Sequence, residues 1–347
     1  MDLSKYPRLQ AQEQAVLWLT FESNRGLAEN TLHAYARGLE DFFGFCTQQE
    51  INLLHVGLDD IGVYIRDLRQ RQLPAHIQRA SSKDTTGLTN STINQRLTAV
   101  RRFYDYLEEE GIVNRNPVRR GRYVQHSPRR GERGLVPKIQ NFPWIPDTEQ
   151  WERIIAVLQK HKLRDKLLFA LSYDGALRRE EVCGLYINDF DVAYRLLRIR
   201  AENTKSRRAR SVSYSESTGQ LLRLHLRDRA RMSRQPGALC LSESPRNYGQ
   251  PLTSAIWSKT VRAIAQEADV PFFTPHTLRH LRLTDLARAG VDLHDIATFA
   301  GHRNIDTTMQ YIHLSGTELA DRIGKRLEEL NWERLPNLSQ NGEGHAE

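Results

Sequence analysis

Apolar residues recur at helical spacing through the first part of the chain. Val16, Leu17, Leu19 and Phe21 form a segment that stops near Asn24-Arg25-Gly26. Leu32, Tyr35, Leu39, Phe42, Phe43 and Phe45 follow Thr31 and predict a second helix. A third carries Ile61, Tyr64, Ile65 and Leu68 behind Asp59 and Asp60, early acids that suit the helix dipole. Pro74, Ser81, Ser82 and Gly87 break any period, so residues 70–90 read as a long loop. Thr89 or Asn90 can then cap a fourth helix with Ile93, Leu97, Val100, Phe103, Tyr104 and Leu107, closed at Gly111. Its other face offers Asn94, Gln95, Arg96, Arg101 and Arg102. Such a face is either solvated or laid against phosphates and groove edges.

The pattern changes after residue 117. From Arg115 to Lys138 eight Arg or Lys, among them Arg119 and Arg120, face the single acid Glu132, and prolines and glycines interrupt the stretch. This composition predicts a basic linker over 118–146, between a helical domain at 1–117 and a second domain at 147–332. A charge run of this kind can track a phosphate backbone, and two domains so joined can close on a duplex. In the second domain, Pro146-Asp147-Thr148-Glu149 opens a helix with Trp151, Ile154, Ile155 and Leu158. Another helix, with Leu167, Leu168, Leu171 and Tyr173, is broken by Gly175, after which Glu180-Glu181 start a third. Leu196, Leu197 and Ile199 alternate with Arg198 and Arg200, and Val212 and Tyr214 follow across a polar turn, which predicts a β-hairpin with Lys205 near its tip. Leu239-Cys240-Leu241 suggests a further short strand, before a helix containing Ile256, Trp257, Val261 and Ile264. Pro275 to Ala289 reads as a helix closed by Gly290. Asp292 caps the next, with Gly301 at its end, and Asp306 or Thr307 caps a short one bearing Tyr311. Residues 316–330 carry Leu319, Ile323, Leu327 and Leu330 as an amphipathic helix, and the polar tail 333–347 is expected to be disordered.

Charge narrows the class of partner. The net charge is +8 over 347 residues, which points to a polyanion, nucleic acid before a membrane surface. Three cysteines with no close pair argue against a disulfide framework or a zinc site and fit a reducing cytoplasm. The N-terminus lacks a signal-peptide core, and no apolar run reaches membrane-spanning length. No Walker motif, G-x-G-x-x-G or clustered acidic ligand set is present, which agrees with chemistry that needs neither a cofactor nor a metal.

The candidate chemistry lies between His276 and Tyr311. His276 and Arg279 sit at i and i+3 on one helix, so they share a face. His302 follows a helix end, and Tyr311 lies nine residues on. A guanidinium, two imidazoles and a phenol suit a phosphodiester: arginine binds oxygens, histidine handles protons, tyrosine attacks. Each residue alone fits ordinary packing; their joint occurrence in this order does not.

These motifs resemble those of the tyrosine recombinases of the phage integrase family. Gly175-Ala-Leu-Arg-Arg-Glu-Glu181 resembles the box around the first arginine, with Arg178 in register and Arg179 the alternative. Thr204-Lys205-Ser206-Arg207 resembles the hairpin lysine motif, His276-Thr-Leu-Arg279-His280 the H-x-L-R-H box, and Gly301-His302 with Tyr311 the last box. Gly26-Leu27 to Tyr35 and the helix ending Glu110-Gly111 resemble the core-binding domain. Leu281 and Arg282 stand where the family often has a small residue and an aromatic, and Arg179-Glu180 where small or apolar residues usually follow the arginine. The resemblance implies a mainly α fold with a small β-sheet: an N-terminal helical SAM-like core-binding domain and an α+β catalytic domain. It implies a site-specific recombinase of integrase, transposase or resolvase type, acting through a 3′-phosphotyrosine and a Holliday junction. Tyr311 would be the nucleophile, with Arg178 and Arg279 on the phosphate and Lys205 protonating the leaving oxygen. His276 would take the tyrosine proton and His302 donate to the phosphate, with Glu181 and His280 as supports behind them. Arg207 and Arg208 join the residues expected on DNA. The implied partners are a double-stranded recombination site, further protomers in a tetramer, and accessory bending or directionality factors, in the cytoplasm at the nucleoid. The C-terminal helix would pack on a neighbouring protomer or on its own chain. A type IB topoisomerase and a DNA-binding architectural or regulatory protein with dormant catalysis stay open as alternatives.

Overall fold

The computed structural model describes residues 2–73, 86–118, 135–137, 143–204, 207–314 and Gly324. Lys205, Arg119, Arg120, the tail 333–347 and the expected helix over 316–330, Gly324 apart, lie outside the described residues. The chain divides into two units, Met1–Asn141 and Phe142–Glu347.

The first unit is helical: α1 (Pro7–Gln10), α2 (Glu13–Asn24), α3 (Glu29–Gln48), α4 (Leu58–Gln70) and α5 (Asn90–Glu109). The periodic apolar positions form its core, with Trp18, Leu39, Phe42, Tyr64, Leu97 and Phe103 all buried. Thr89, not Asn90, caps α5, its hydroxyl accepting from the Thr92 amide at 3.3 Å. The Asp60 carboxylate reaches back to the Gly57 amide at 2.8 Å and closes the first turn of α4. The ends of the expected loop are tied together, since the Leu88 amide donates to the Leu68 carbonyl at 2.8 Å.

The basic stretch does not leave this unit at residue 117. Val118 and Val136 are buried in the same core, because two valines among arginines still lose water by docking there. Asn116 fastens the turn, its amide group donating to Asp105 at 2.7 Å and to the Arg101 carbonyl at 3.0 Å.

The second unit contains α6 (Thr148–Leu158), α7 (Leu163–Asp174), α8 (Arg179–Cys183), β1 (Phe190–Asp191), β2 (Leu196–Ile199), β3 (Arg210–Ser213) and α9 (Glu216–Met232). It continues with α10 (Ser254–Glu267), α11 (Pro275–Arg288), α12 (Leu293–Ala300) and α13 (Asp306–Leu314). The sheet is antiparallel in the order β1-β2-β3, with Leu197 opposite Val212 and Ile199 opposite Arg210. Leu197, Ile199 and Val212 face the core as the alternation requires.

Two elements differ from expectation. Leu239-Cys240-Leu241 is not a strand: Leu239 bonds to Leu185 and Cys240 to Leu252, so no partner persists for a ladder. Helix α9 is not evident in the sequence pattern, because its buried face includes His225 and Arg229 as well as Leu222. Those polar residues hide the apolar period. Each is satisfied by backbone, His225 by the Leu239 carbonyl at 3.1 Å and Arg229 by the Ala238 carbonyl at 2.9 Å. Buried Asp174, at the end of α7, accepts from the Ser215 amide at 2.8 Å and the Thr218 hydroxyl at 2.7 Å, which fixes where α9 begins after β3.

Candidate active site

Helix α7 ends in a tight reversal that aims one carbonyl and an arginine inward. Gly175 is needed there for room, since a Cβ would lie 2.9 Å from Val212 Cγ2. The positive φ of 46° falls on buried Ala176 instead, a strained conformation for a residue with a side chain. Its carbonyl accepts from Arg279 Nη1 at 2.6 Å. Arg178 follows as the N-cap of α8 and donates from Nη1 to Glu181 Oε1 at 2.9 Å. Its fork also faces the Ala300 and Gly301 carbonyls at 3.5 and 3.4 Å. Arg179 turns away to Glu180 and the Ser258 hydroxyl, so the structure places Arg178, of the two, at the centre.

Glu181 is fully buried and accepts from four N–H groups: the Arg178 amide at 2.9 Å, Arg178 Nη1, and both Nη atoms of Arg210 at 3.0 and 2.8 Å. Burial opposes its ionisation, but Arg210 and Arg178 outweigh this and hold the carboxyl down at about 2. The sequence pattern alone does not single out Arg210. A cation at the start of β3, on the same face as Val212, was the available signal, because an inward charge on a strand demands a buried counter-charge.

Arg279, on α11, is 3% exposed. Its Nη2 donates to the Ala300 carbonyl at 2.7 Å and contacts His302 Nε2 at 2.8 Å. Burial and the Arg178 charge lower it to about 9, which still leaves a cation at neutral pH. Guanidinium has no acceptor, so His302 Nε2 must accept and its Nδ1–H donates to the Thr308 hydroxyl at 2.8 Å. Burial and Arg279 push His302 down to about 3, so this ring is neutral. Gly301 makes the turn that presents it, with φ of 64°. Helix α13 begins at Asp306, whose amide donates to the Asn304 side chain at 3.0 Å.

Tyr311 is 1% exposed, its ring set among Ala176, Leu283, Ile296 and Ala300. Its hydroxyl lies 2.8 Å from His280 Nδ1. This differs from the expectation that His276 would meet the phenol. Residue 280 lies one helical turn beyond 276, and that turn carries its ring to α13. His276 is exposed on the first turn of α11, with its ring 5.9 Å from that of His280. Burial, His276 and Arg279 lower His280 to about 4, while burial raises Tyr311. Both therefore rest neutral.

The expected DNA-facing residues of α5 separate into two sets. Arg96 pairs with Asp41, Arg101 Nε donates to the Val118 carbonyl at 2.8 Å, and Asn94 donates to the Val136 carbonyl at 3.3 Å. These three hold their own unit together, as positions flanking a buried stripe can. Gln95 and Arg102 are exposed on α5, and Arg207 and Arg208 are exposed on the segment leading into β3.

Both units of the chain match known protein families. Residues 146–318 match the phage integrase family, and residues 17–111 match the phage integrase N-terminal SAM-like domain. The chain belongs to the phage integrase family of tyrosine recombinases. It is 27% identical to the tyrosine recombinase XerC of Listeria monocytogenes over 307 residues, covering 86% of this chain and 91% of the relative. A tyrosine recombinase of Thermosipho africanus is also 27% identical, covering 86% and 93%. The fold is that of the Tn1549 transposon integrase solved with transposon right end DNA, at 18% identity and a TM-score of 0.62, covering 90% of this chain and 100% of that one. The XerH site-specific recombinase bound to palindromic difH gives 18% and 0.59, covering 86% and 80%. The tyrosine recombinase fold so shared is mainly helical, with the small sheet described above. No helix among the described residues is long and apolar enough to cross a membrane.

Proposed function

We propose that this protein is a site-specific DNA recombinase that cuts and rejoins duplex DNA through a 3′-phosphotyrosine on Tyr311. One observation carries the reading: the Tyr311 hydroxyl is bound to His280 in a site where Arg178, Arg210 and Arg279 outnumber the single carboxylate Glu181. That excess of positive charge, largely buried beside a phenol, suits the anionic transition state of phosphoryl transfer. One such donor typically contributes about 3 kcal/mol.

In the proposed reaction the Tyr311 oxygen attacks the scissile phosphorus while its proton passes to His280, with His276 stacked behind. The phosphorus–O5′ bond breaks, and Lys205 protonates the departing 5′-oxygen to give a free hydroxyl. The resting pair does not ionise, because His280 is held near 4 and Tyr311 is raised. An entering phosphate supplies the negative charge that makes the imidazolium tolerable. Arg279 then turns its Nη2 to a phosphate oxygen, and His302, released from it, takes the tautomer that donates to the phosphate. Because the phosphotyrosine conserves the energy of the broken bond, rejoining to a second strand requires neither ATP nor metal. Two successive exchanges among four protomers pass through a Holliday junction, with Gln95, Arg102, Arg207 and Arg208 on the DNA. This activity belongs in the cytoplasm at the nucleoid.

The test starts from the protein's own site, recovered by sequencing DNA that stays attached after denaturation in the host. Two plasmid-borne copies of that site are expected to exchange strands. Relaxation of supercoils without exchange would favour a topoisomerase, and binding without either would favour an architectural protein.

A further inference from the structure

Arg210 opens β3 on its inward face, and its side chain is 7% exposed. Its fork covers both oxygens of Glu181, and its Nε donates to the Phe299 carbonyl in the last turn of α12 at 2.9 Å. One side chain thus joins three segments: the strand that follows Lys205 in the sequence, the helix start that carries Arg178, and the helix end that presents His302. Gly301 is shaped to it as well, since a Cβ there would stand 3.2 Å from Arg210 Cδ and Nη1.

We infer that Arg210 is a positioning residue for strand cleavage: it takes up the charge of Glu181, so that Arg178 stays available to the scissile phosphate, and it sets the end of α12 that carries His302. The inference rests on the cleavage reaction proposed above. A carboxylate offers roughly four acceptor sites, and here Arg210 fills two. Without it a fully buried carboxylate would be left half-compensated, a costly state. Arg178 is the nearest remaining cation and is still 20% exposed. It would be drawn in as the bidentate partner of Glu181, its charge cancelled and its fork turned from the phosphate. Arg210 therefore acts through Arg178 without touching DNA.

The experiment measures covalent adduct formation on a nicked duplex carrying the recovered site, and on the same duplex with an uncharged methylphosphonate at the scissile position. Arg210→Gln is expected to slow cleavage of the phosphate about 100-fold, the loss of one oriented cation. On the methylphosphonate, which makes less demand on positive charge, its deficit should shrink to about fivefold or less. Arg210→Lys keeps the neutralising charge and is expected within about tenfold of wild type on the phosphate. Equal deficits of Arg210→Gln on the two duplexes, no deficit, or an Arg210→Lys as slow as Arg210→Gln would overturn the inference. Should Arg210→Gln fail to fold, Arg210→Lys carries the test by itself: a rate on the phosphate within about tenfold of wild type is expected, and a loss of about 100-fold would overturn the inference. A wild-type protein that forms no adduct would instead contradict the proposed function.

Discussion

Two glycines of the catalytic unit allow backbone strain to be separated from crowding at the active site. Gly290 and Gly301 follow α11 and α12 with φ of 78° and 64°. Replacing either with alanine costs about 1–2 kcal/mol for the left-handed conformation alone. Around Gly290 a Cβ meets nothing within 4 Å, whereas at Gly301 it comes within 3.2 Å of Arg210. Arg210 cannot simply step aside, because its fork is bound to Glu181 and its Nε to Phe299. Overpacking of this kind adds about 1–3 kcal/mol. Gly301→Ala should therefore melt lower than Gly290→Ala, by about 2–4 °C for each added kcal/mol in a unit of this size. The larger separation should be in rate. Gly290→Ala is expected to cleave a nicked duplex like wild type, and Gly301→Ala at least about tenfold more slowly, as one lost active-site interaction would predict. Scanning calorimetry and single-turnover adduct formation measure both. Equal melting temperatures and equal rates for the two variants would refute the idea that Gly301 is needed for more than its φ.

Further predictions follow from the polar contacts. Thr308→Val leaves His302 Nδ1–H without its acceptor and is expected to slow cleavage about tenfold, while Thr308→Ser restores it; single-turnover rates decide. Acid should destabilise the catalytic unit in two stages. His302, near 3 against an ordinary 6.5, binds its proton more readily when unfolded, so folding stability falls as pH drops from about 6.5 towards 3. Glu181, near 2 against 4.5, contributes stability that is complete above about 4.5 and lost as pH falls to about 2. His302→Asn should make the upper stage, which His280 shares, shallower, and Glu181→Gln should flatten the lower one in melting temperature against pH; unchanged slopes would count against these shifts. In the helical unit, Asp41 binds the Tyr64 hydroxyl at 2.7 Å, Arg71 Nη1 at 2.6 Å and Arg96. Asp41→Asn should lower urea stability by about 1–3 kcal/mol through the half-satisfied partners it leaves, and no change would show the cluster to be incidental.

The stretch from Pro275 to Tyr311 was legible because each signal there is local: proline and glycine punctuation, capping side chains, and reactive residues at fixed spacing. What spacing could not show was which ring meets the phenol, since His276 and His280 lie one turn apart on the same helix and only the packing of α13 against α11 distinguishes them. Arg210 was lost among twelve basic residues between Arg195 and Arg234, although its place in the β alternation marked it as inward-facing. Helix α9 was obscured by the buried His225 and Arg229, whose backbone partners come from a later loop. On α5 the cationic face suggested a nucleic-acid surface, yet Arg96 and Arg101 are bound within their own unit. Composition gives the charge of such a face but not the carboxylate or carbonyl that claims it.

Tyr311 is the proposed nucleophile. Protein trapped on the nicked duplex, digested and analysed by tandem mass spectrometry, should yield one nucleotide-bearing peptide, modified at Tyr311 through a 3′-phosphate, with a free 5′-hydroxyl on the released strand. Tyr311→Phe should give no adduct while still binding the duplex. An adduct that survives Tyr311→Phe, or that maps to another residue, would contradict the account.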